Sequence, residues 1–233
     1  MVVEEERIAH DCVLLLLKQL PSLEYLEIHP WQQLKALTDI QRYCPSLKCL
    51  QYSADGVHQY WINLPMDPSQ PGLQSIQIHD LNATADEASG IDNVLKCNHS
   101  TIRVLDLCIG TQGKELNLMF PLLRHLAILY HYPEANTGYG SWIPKYTPNI
   151  EELVVDMHAI HKCRGLMGSL KYIKNLRTLE FYVGELSLHP YHEQLHSFLA
   201  QQTHMQSLDL YIQPDQFHDE MRTIIEDGKE KDE

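Results

Sequence analysis

One short phrase recurs along the whole chain and restricts the fold more than any other feature. It places three apolar residues in the pattern apolar-x-x-apolar-x-apolar, and the clearest copy is Leu47, Leu50 and Tyr52. The triplets are Leu23/Leu26/Ile28, Leu47/Leu50/Tyr52, Leu73/Ile76/Ile78, Ile102/Leu105/Leu107, Leu123/Leu126/Ile128, Ile150/Leu153/Val155, Leu176/Leu179/Phe181 and Met205/Leu208/Leu210. Their middle residues stand 21 to 29 residues apart, with a mean of 26. A unit repeated at this interval predicts a stacked repeat architecture instead of a compact globule.

The spacing inside each copy predicts what one repeat contributes. The last two apolar positions are two residues apart, so both side chains leave the same face of a short strand. Successive strands then form a parallel sheet, whose apolar face is covered by the segment that returns to the next strand. This period and core are typical of leucine-rich repeats. We therefore predict an α/β fold, namely a leucine-rich-repeat solenoid of about eight irregular repeats, with a curved parallel sheet and helices and loops on the convex side.

The returning segments predict helices between most strands. Apolar residues at helical spacing occur in residues 4–19, 31–43, 91–97, 161–173 and 191–202. Two Pro- and Gly-rich connections, residues 52–72 and 130–148, predict loops, and their aromatic residues either contact a partner or pack against the repeats. Since no break interrupts the repeat, we predict one domain over residues 1–226. Residues 227–233 are charged apart from Gly228 and predict a disordered tail.

Composition excludes several classes of function. The formal net charge of −13 argues against a nucleic-acid partner, which requires basic patches. No apolar run is long enough to cross a membrane, and the acidic start at Glu4, Glu5 and Glu6 is unlike a signal peptide. The six cysteines form no C-x-x-C pair, so we expect buried free thiols and a cytoplasmic or nuclear protein without a membrane partner.

The residues between the core positions predict the binding surface. Side chains alternate along a strand, so three columns of residues leave the sheet on its concave, solvent-facing side. The first column reads Tyr25, Cys49, Ser75, Val104, His125, Glu152, Thr178 and Ser207. The middle column reads Glu27, Gln51, Gln77, Asp106, Ala127, Val154, Glu180 and Asp209. The third column reads His29, Ser53, His79, Cys108, Leu129, Asp156, Tyr182 and Tyr211.

These columns are acidic toward both ends, apolar in the middle and aromatic near the last strands. Acid around an apolar centre favours a protein partner with a basic or mixed basic and apolar segment. The residues predicted to bind it are Tyr25, Glu27, His29, Gln51, Gln77, His79, Asp106, Glu152, Asp156, Glu180, Tyr182, Asp209 and Tyr211. The alternative is a solvated face without a specific ligand.

The copy Cys44-Pro45-Ser46-Leu47-Lys48-Cys49-Leu50 resembles the C-P-x-L-x-x-L core of cysteine-containing leucine-rich repeats. That subtype follows the F-box in substrate receptors of cullin-RING ubiquitin ligases, and the irregular steps are most similar to fungal F-box/leucine-rich-repeat proteins. The resemblance implies substrate recognition for a ubiquitin ligase. Two departures are visible: the family's Asn or Cys after the strand is missing, and no F-box precedes Pro21. A cullin-ligase adaptor is expected only if an F-box exists upstream, and the alternative is a free-standing scaffold.

Two short sequence motifs are weak indications of a metal site. His192-Glu193-Gln194-Leu195-His196 matches H-E-x-x-H, in which two histidines one helical turn apart bind zinc and the glutamate activates water. No glycine and third histidine follow, so a zinc hydrolase is the remote alternative. His158, His161 and Cys163 also have ligand-like spacing but lack a fourth ligand nearby. Phosphate-loop and nucleophile-elbow motifs are missing too, and we predict a non-catalytic module without a cofactor.

Overall fold

The computed structural model describes nine stretches of the chain. They are residues 12–28, 37–53, 66–80, 85–109, 118–129, 142–156, 164–183, 192–202 and 204–212.

Eight strands form one parallel sheet, and their order across the sheet is their order in the chain. The strands are β1 (Tyr25–Ile28), β2 (Cys49–Ser53), β3 (Ser75–Asp80), β4 (Val104–Ile109), β5 (His125–Leu129), β6 (Glu152–Asp156), β7 (Thr178–Val183) and β8 (Ser207–Ile212). Each strand carries one copy of the phrase, and all seven pairings keep the register of the aligned copies. The predicted α/β parallel sheet is confirmed. It is open at both edges, which is compatible with a solenoid.

Helices occupy most of the returns between strands. They are α1 (12–17), α2 (Leu37–Tyr43), α3 (Ala85–Asn98), α4 (Ile143–Tyr146), α5 (Arg164–Leu170) and α6 (His192–Gln201). Helix α3 begins six residues before the predicted one, and α4 lies in a segment that was predicted to be a loop. Pro144 is accommodated in α4 because the first turn of a helix needs no donor there. Burial of Trp142 and Ile143 then fixes this short turn against the core.

The helical spacing in residues 4–19 predicts an apolar stripe of Ile8, Cys12, Leu15 and Leu16, and this prediction is wrong for α1. Leu15 and Leu16 are 57% and 64% exposed, whereas Leu17, which was not assigned to the stripe, is buried. Leu17 belongs to the apolar cluster, and Val13 and Leu14 pack against it. The carbonyl of Leu17 accepts a hydrogen bond from the Cys44 thiol at 3.6 Å. Helix α1 therefore packs against the core through a different face from the one that its sequence predicts.

One continuous apolar cluster lies between the sheet and the helices. It contains both alternating core positions of β2 to β7, so that Leu126 and Leu153 are fully buried. The helices contribute Ile40, Val94, Leu166 and Phe198 to the same cluster. Because each repeat covers its neighbours, burial is complete in the middle and falls at the last strand, where Leu208 is 37% exposed.

The turn that enters each strand ties neighbouring repeats together. The carbonyl oxygen one residue before a strand accepts two N–H groups of the next repeat, as when the Glu151 carbonyl accepts from Arg177 at 2.7 Å and Thr178 at 3.0 Å. Side chains reinforce this contact. Thr101 Oγ1 donates to the Leu73 carbonyl at 2.7 Å, and Asn149 Nδ2 donates to the Pro121 carbonyl at 2.8 Å.

These side-chain bonds satisfy carbonyl groups in the turn before the strand. Gly72 holds the position equivalent to Thr101 and has a φ of +86°. A Cβ there would also meet Thr101 Oγ1 at 3.3 Å, so glycine is required at that turn.

The cysteines are only partly as predicted. Cys44 and Cys49 are buried free thiols, but Cys12 and Cys97 are exposed. The side chains of Cys108 and Cys163 lie outside the described part of the chain. None of the described helices is long and apolar enough to cross a membrane.

Leu153 and Leu208 occupy the same repeat position in the middle and at the end of the sheet, so they form a matched pair. We expect Leu153→Ala to lower the free energy of unfolding by about 2–5 kcal/mol, because it opens a cavity in the core. Leu208→Ala should cost about 1 kcal/mol, since Leu208 is partly exposed. Urea unfolding followed by circular dichroism measures both, and equal losses would contradict the repeat packing described above.

Candidate protein-binding face

The three columns of alternating side chains lie together on the sheet face that points away from the apolar cluster. We call this surface the polar face. Cys49, Val104 and Ala127 support the assignment, because they are buried and yet do not belong to the apolar cluster. The register aligns the first and middle columns across all eight strands, and it aligns the third column from β2 to β5 and from β6 to β8.

Nine of the thirteen predicted site residues have described side chains on the polar face. They are Tyr25, Glu27, Gln51, Gln77, His79, Asp106, Glu152, Glu180 and Asp209. Asp156, Tyr182 and Tyr211 have described backbone positions on β6, β7 and β8, but their side chains lie outside the described part. His29 also lies outside the described residues.

The middle of the polar face is not exposed, and the prediction of a solvent-facing surface is wrong there. Gln51 and Gln77 are each 3% exposed, and Asp106 is 5% exposed. Toward the ends the face opens, since Tyr25 is 48% exposed and the side chain of Glu152 is 40% exposed.

Two histidine–carboxylate pairs cross neighbouring strands in the middle of the polar face. His79 Nε2 lies 3.0 Å from Asp106 Oδ2, which joins β3 to β4. His125 Nδ1 lies 2.9 Å from Glu152 Oε2, which joins β5 to β6. The hydrogen bond from His125, followed by its charge, holds the pKa of Glu152 below the usual range. These contacts bind adjacent repeats to one another through side chains.

Several buried polar atoms on the same face have no hydrogen-bond partner among the described residues. They include Ser53 Oγ, Gln77 Nε2, Asp106 Oδ1 and His125 Nε2. Leaving a buried donor or acceptor unpaired costs about 1–3 kcal/mol, and native proteins pair the great majority. The polar face thus holds hydrogen-bonding capacity that the described part of the chain does not use.

The end of the face at β7 and β8 carries uncompensated acid. Glu180 and Asp209 are direct partners in the register of these strands. Burial, followed by the charge of Asp209, raises the pKa of Glu180, and His125 opposes that rise while Glu152 adds to it. Ser207 donates a hydrogen bond to Asp209 Oδ2 at 2.8 Å. Like charges placed directly opposite each other destabilise a sheet, so this pair is a candidate for function.

The opposite end of the face is organised around a tyrosine. The Tyr25 hydroxyl lies within hydrogen-bond distance of two acceptors, Gln51 Oε1 and Glu27 Oε2, the second at 3.3 Å, and donates its one proton between them. Desolvation, with the nearby charge of Glu27, raises the pKa of Tyr25 to about 12. Tyr25 is therefore a neutral donor that links β1 to β2 at physiological pH.

Neither string with metal-like spacing gains support from the described residues. The backbone places His192 to His196 on α6, but their side chains lie outside the described part, as do His158, His161 and Cys163 altogether. Within the described ranges no three His, Cys, Asp or Glu side chains are grouped so that they could hold a metal ion.

One residue of the site was missed at the level of sequence. His125 was placed in the first column but was not selected as a site residue, although it makes the Glu152 contact and has an unpaired ring nitrogen. The signal was present, because the aligned copies put His125 directly opposite Glu152.

Comparisons of the chain with protein-family models, with curated proteins and with solved structures give no match. The role of the polar face therefore has to be argued from its own geometry and charge.

Replacing Glu180 or Glu152 by glutamine should shift the melting temperature in opposite directions. At pH 7 the raised pKa of Glu180 means that its charge opposes folding, so Glu180→Gln should raise Tm by up to about 2 °C. The lowered pKa of Glu152 means that its charge favours folding, so Glu152→Gln should lower Tm by a similar amount.

Both differences should shrink in acid, as the wild-type carboxyl groups become protonated. The gain in Tm from Glu180→Gln should disappear as pH drops through the raised pKa of Glu180 toward the ordinary pKa of glutamate. The deficit of Glu152→Gln should persist further, until pH falls through its lowered pKa. Thermal melts from pH 3 to 8 measure the effect, and shifts of the same sign would contradict the electrostatic assignment.

Proposed function

We propose that the chain is a non-catalytic leucine-rich-repeat module that binds a protein partner through its polar face. Eight copies of the phrase lie in one register on one open parallel sheet, and such repeat arrays commonly bind on an extended sheet surface. A cytoplasmic or nuclear setting is part of the proposal, and it rests on the cysteine pattern of the sequence.

The facing pair Glu180 and Asp209 is the observation that carries the proposal. Both side chains are partly exposed, and no described basic side chain lies within ion-pair distance of either. Arg124 and Arg177, which precede β5 and β7, contact Glu151 instead, at 2.7 and 3.6 Å. An acid pair retained at a cost in stability is well suited to a cationic group of a partner.

An apolar side chain beside the acid extends the proposed surface. Val154 is the register partner of Glu180 and is partly exposed, whereas Ala127, the next residue across the sheet, is buried. The partner segment is accordingly proposed to be mixed, with a basic residue over the acid and a small apolar residue over Val154.

The proposal is tested by removing the acid without changing the shape. Glu180→Gln with Asp209→Asn should weaken capture of the partner from cell extract about tenfold or more. Glu24→Gln with Asp39→Asn changes the charge equally but lies off the polar face, and it should capture the partner normally. The measurement is quantitative mass spectrometry of proteins retained by each immobilised variant. Equal retention by both double variants would refute binding through the acid.

We further propose that the module recognises substrates for an F-box-like ubiquitin ligase. The support is the resemblance of the segment from Cys44 to Leu50 to cysteine-containing repeats of that class. Cys44 is completely buried, as a structural cysteine of such a repeat would be. Substrate recognition requires only a binding surface, so this role is consistent with a non-catalytic chain.

Co-purification separates the ligase role from a free-standing scaffold. The native protein, tagged at its own locus, should retain a cullin adaptor, and ubiquitin attached to its captured partner should decline when the protein is depleted. Capture of the partner without adaptor, and with unchanged partner ubiquitination, would contradict the ligase role and leave the scaffold role standing.

A further inference from the structure

The turns that enter β5, β6 and β7 concentrate positive charge in a chain whose formal net charge is −13. Residues 118–124, 142–151 and 171–177 contain five basic side chains and a single acidic one, Glu151. All five bases are exposed, and together we call them the basic edge: Arg124, Lys145, Lys171, Lys174 and Arg177.

Hydrogen bonds hold these three turns side by side. Asn149 Nδ2 donates to the Pro121 carbonyl at 2.8 Å, and Asn175 Nδ2 donates to the Pro148 carbonyl at 3.4 Å. Because neighbouring turns are joined in this way, the basic edge forms one surface at the end of the sheet where the strands begin.

One carboxylate neutralises only part of this surface. Glu151 lies 2.7 Å from an Arg124 nitrogen and 3.6 Å from an Arg177 nitrogen, so it is shared by two guanidinium groups. The two arginine side chains are still 45% and 56% exposed, and each guanidinium has five N–H donors. Among the described residues, no carboxylate lies within ion-pair distance of Lys171 or Lys174. The basic edge therefore presents more cationic donors than its own acid can pair.

A turn of the same chain shows what satisfies bases at this position of the repeat. Lys48 and Arg103 precede β2 and β4, as the two arginines of the basic edge precede β5 and β7. Arg103 Nη2 donates to Asp67 Oδ2 at 3.3 Å and to Gln70 Oε1 at 3.2 Å, and Lys48 Nζ donates to the Gln70 carbonyl. The acidic turn of residues 67–70 thus covers the bases before β2 and β4. Within the described ranges, the arginines before β5 and β7 bond only to residues of the turn between them.

We propose that the basic edge binds an acidic segment of a second protein, in the manner in which residues 67–70 cover the bases before β2 and β4. Carboxylates of the partner accept hydrogen bonds from Arg124 and Arg177, and its backbone carbonyls accept from the lysines. This surface is separate from the polar face and adds to the proposed function, because it does not depend on Glu180 or Asp209.

The charge and the exposed side chains of the basic edge favour a short protein segment over a longer polyanion. The net charge of −13 repels a nucleic acid, whose own charge continues beyond any small patch, whereas a short acidic segment adds little charge outside the basic edge. Tyr172 is 62% exposed, and the Lys171 ammonium lies 5.1 Å from the centre of its ring. The tyrosine therefore offers an apolar contact beside the cations, which suits a protein side chain.

The proposal is tested with two blocked hexapeptides, acetyl-Gly-Asp-Ser-Ser-Asp-Gly-amide and its counterpart with asparagine in place of both aspartates. The two acids are three residues apart, which spans about 10 Å in an extended chain and matches the two strand spacings between the arginines. Chemical shifts of the ¹⁵N-labelled full chain are followed at the amides of Arg124, Lys174 and Arg177. We expect saturable shifts with the aspartate peptide and binding at least about fivefold weaker with the asparagine peptide.

Three variants locate the binding on the basic edge. Lys174→Gln with Arg177→Gln should weaken the aspartate peptide at least about fivefold. Arg42→Gln with Lys96→Gln removes two exposed bases from α2 and α3 instead, and this control should bind the peptide like the wild type. Glu151→Gln should bind it about twofold to fivefold more tightly, because both guanidinium groups lose the carboxylate that they share. Such a gain cannot result from misfolding.

A thymidine trinucleotide, which carries the same charge as the aspartate peptide, separates a protein segment from a nucleic acid. Tighter binding of the trinucleotide would overturn the assignment to a protein segment. Equal affinity for the two peptides, equal losses in the two double variants, or no gain in Glu151→Gln would overturn the basic edge as the binding surface. The polar-face variant Glu180→Gln with Asp209→Asn should still bind the aspartate peptide, so this surface and the polar face can each fail without the other.

Discussion

The pairing of eight parallel strands in one register is the constraint on which the rest of the structure depends. Each pairing sets the same alternation, so that Leu50 faces the helices while Gln51 faces the other way. A slip of one residue would exchange the two faces along that strand, placing glutamine in the core and leucine on the polar face. The entry turns hold this register with paired N–H groups on one carbonyl, so core and polar face are fixed by the same contacts.

The same register that builds the core also creates the electrostatic problem of the polar face. Residues at one repeat position become direct neighbours about 4.8 Å apart, whatever their charge. Gln51 and Gln77 are neutral neighbours, whereas Glu180 and Asp209 are both acidic. Burial, followed by the charge of Asp209, raises the pKa of Glu180. In the middle of the face histidine supplies compensation, since His79 and His125 each contact a carboxylate across a strand pair. At β7 and β8 the described side chains offer none.

Periodicity was sufficient to predict the columns but not how their side chains meet. The positions of Glu180 and Asp209 followed from counting residues, because parallel pairing preserves the count. The burial of Gln77 did not follow, because the repeat determines the face on which a side chain lies and not what covers that side chain. Helix α4 was missed because Pro144 masks a turn that burial of Trp142 stabilises. The first six residues of α3 lack a clear apolar period and were likewise missed.

These features divide the polar face into parts with different roles. His79 Nε2 and Asp106 Oδ2 already contact one another and both side chains are largely covered, so a partner gains little by competing with that contact. Glu180 and Asp209 repel each other in the free chain, so a cation placed between them removes a cost as well as adding an attraction. Binding free energy in interfaces is concentrated in a few residues surrounded by nearly neutral contacts. The repulsive pair on β7 and β8 has the properties of such a central, energetically important contact. The middle of the sheet, where His79 contacts Asp106, has the properties of the nearly neutral surroundings.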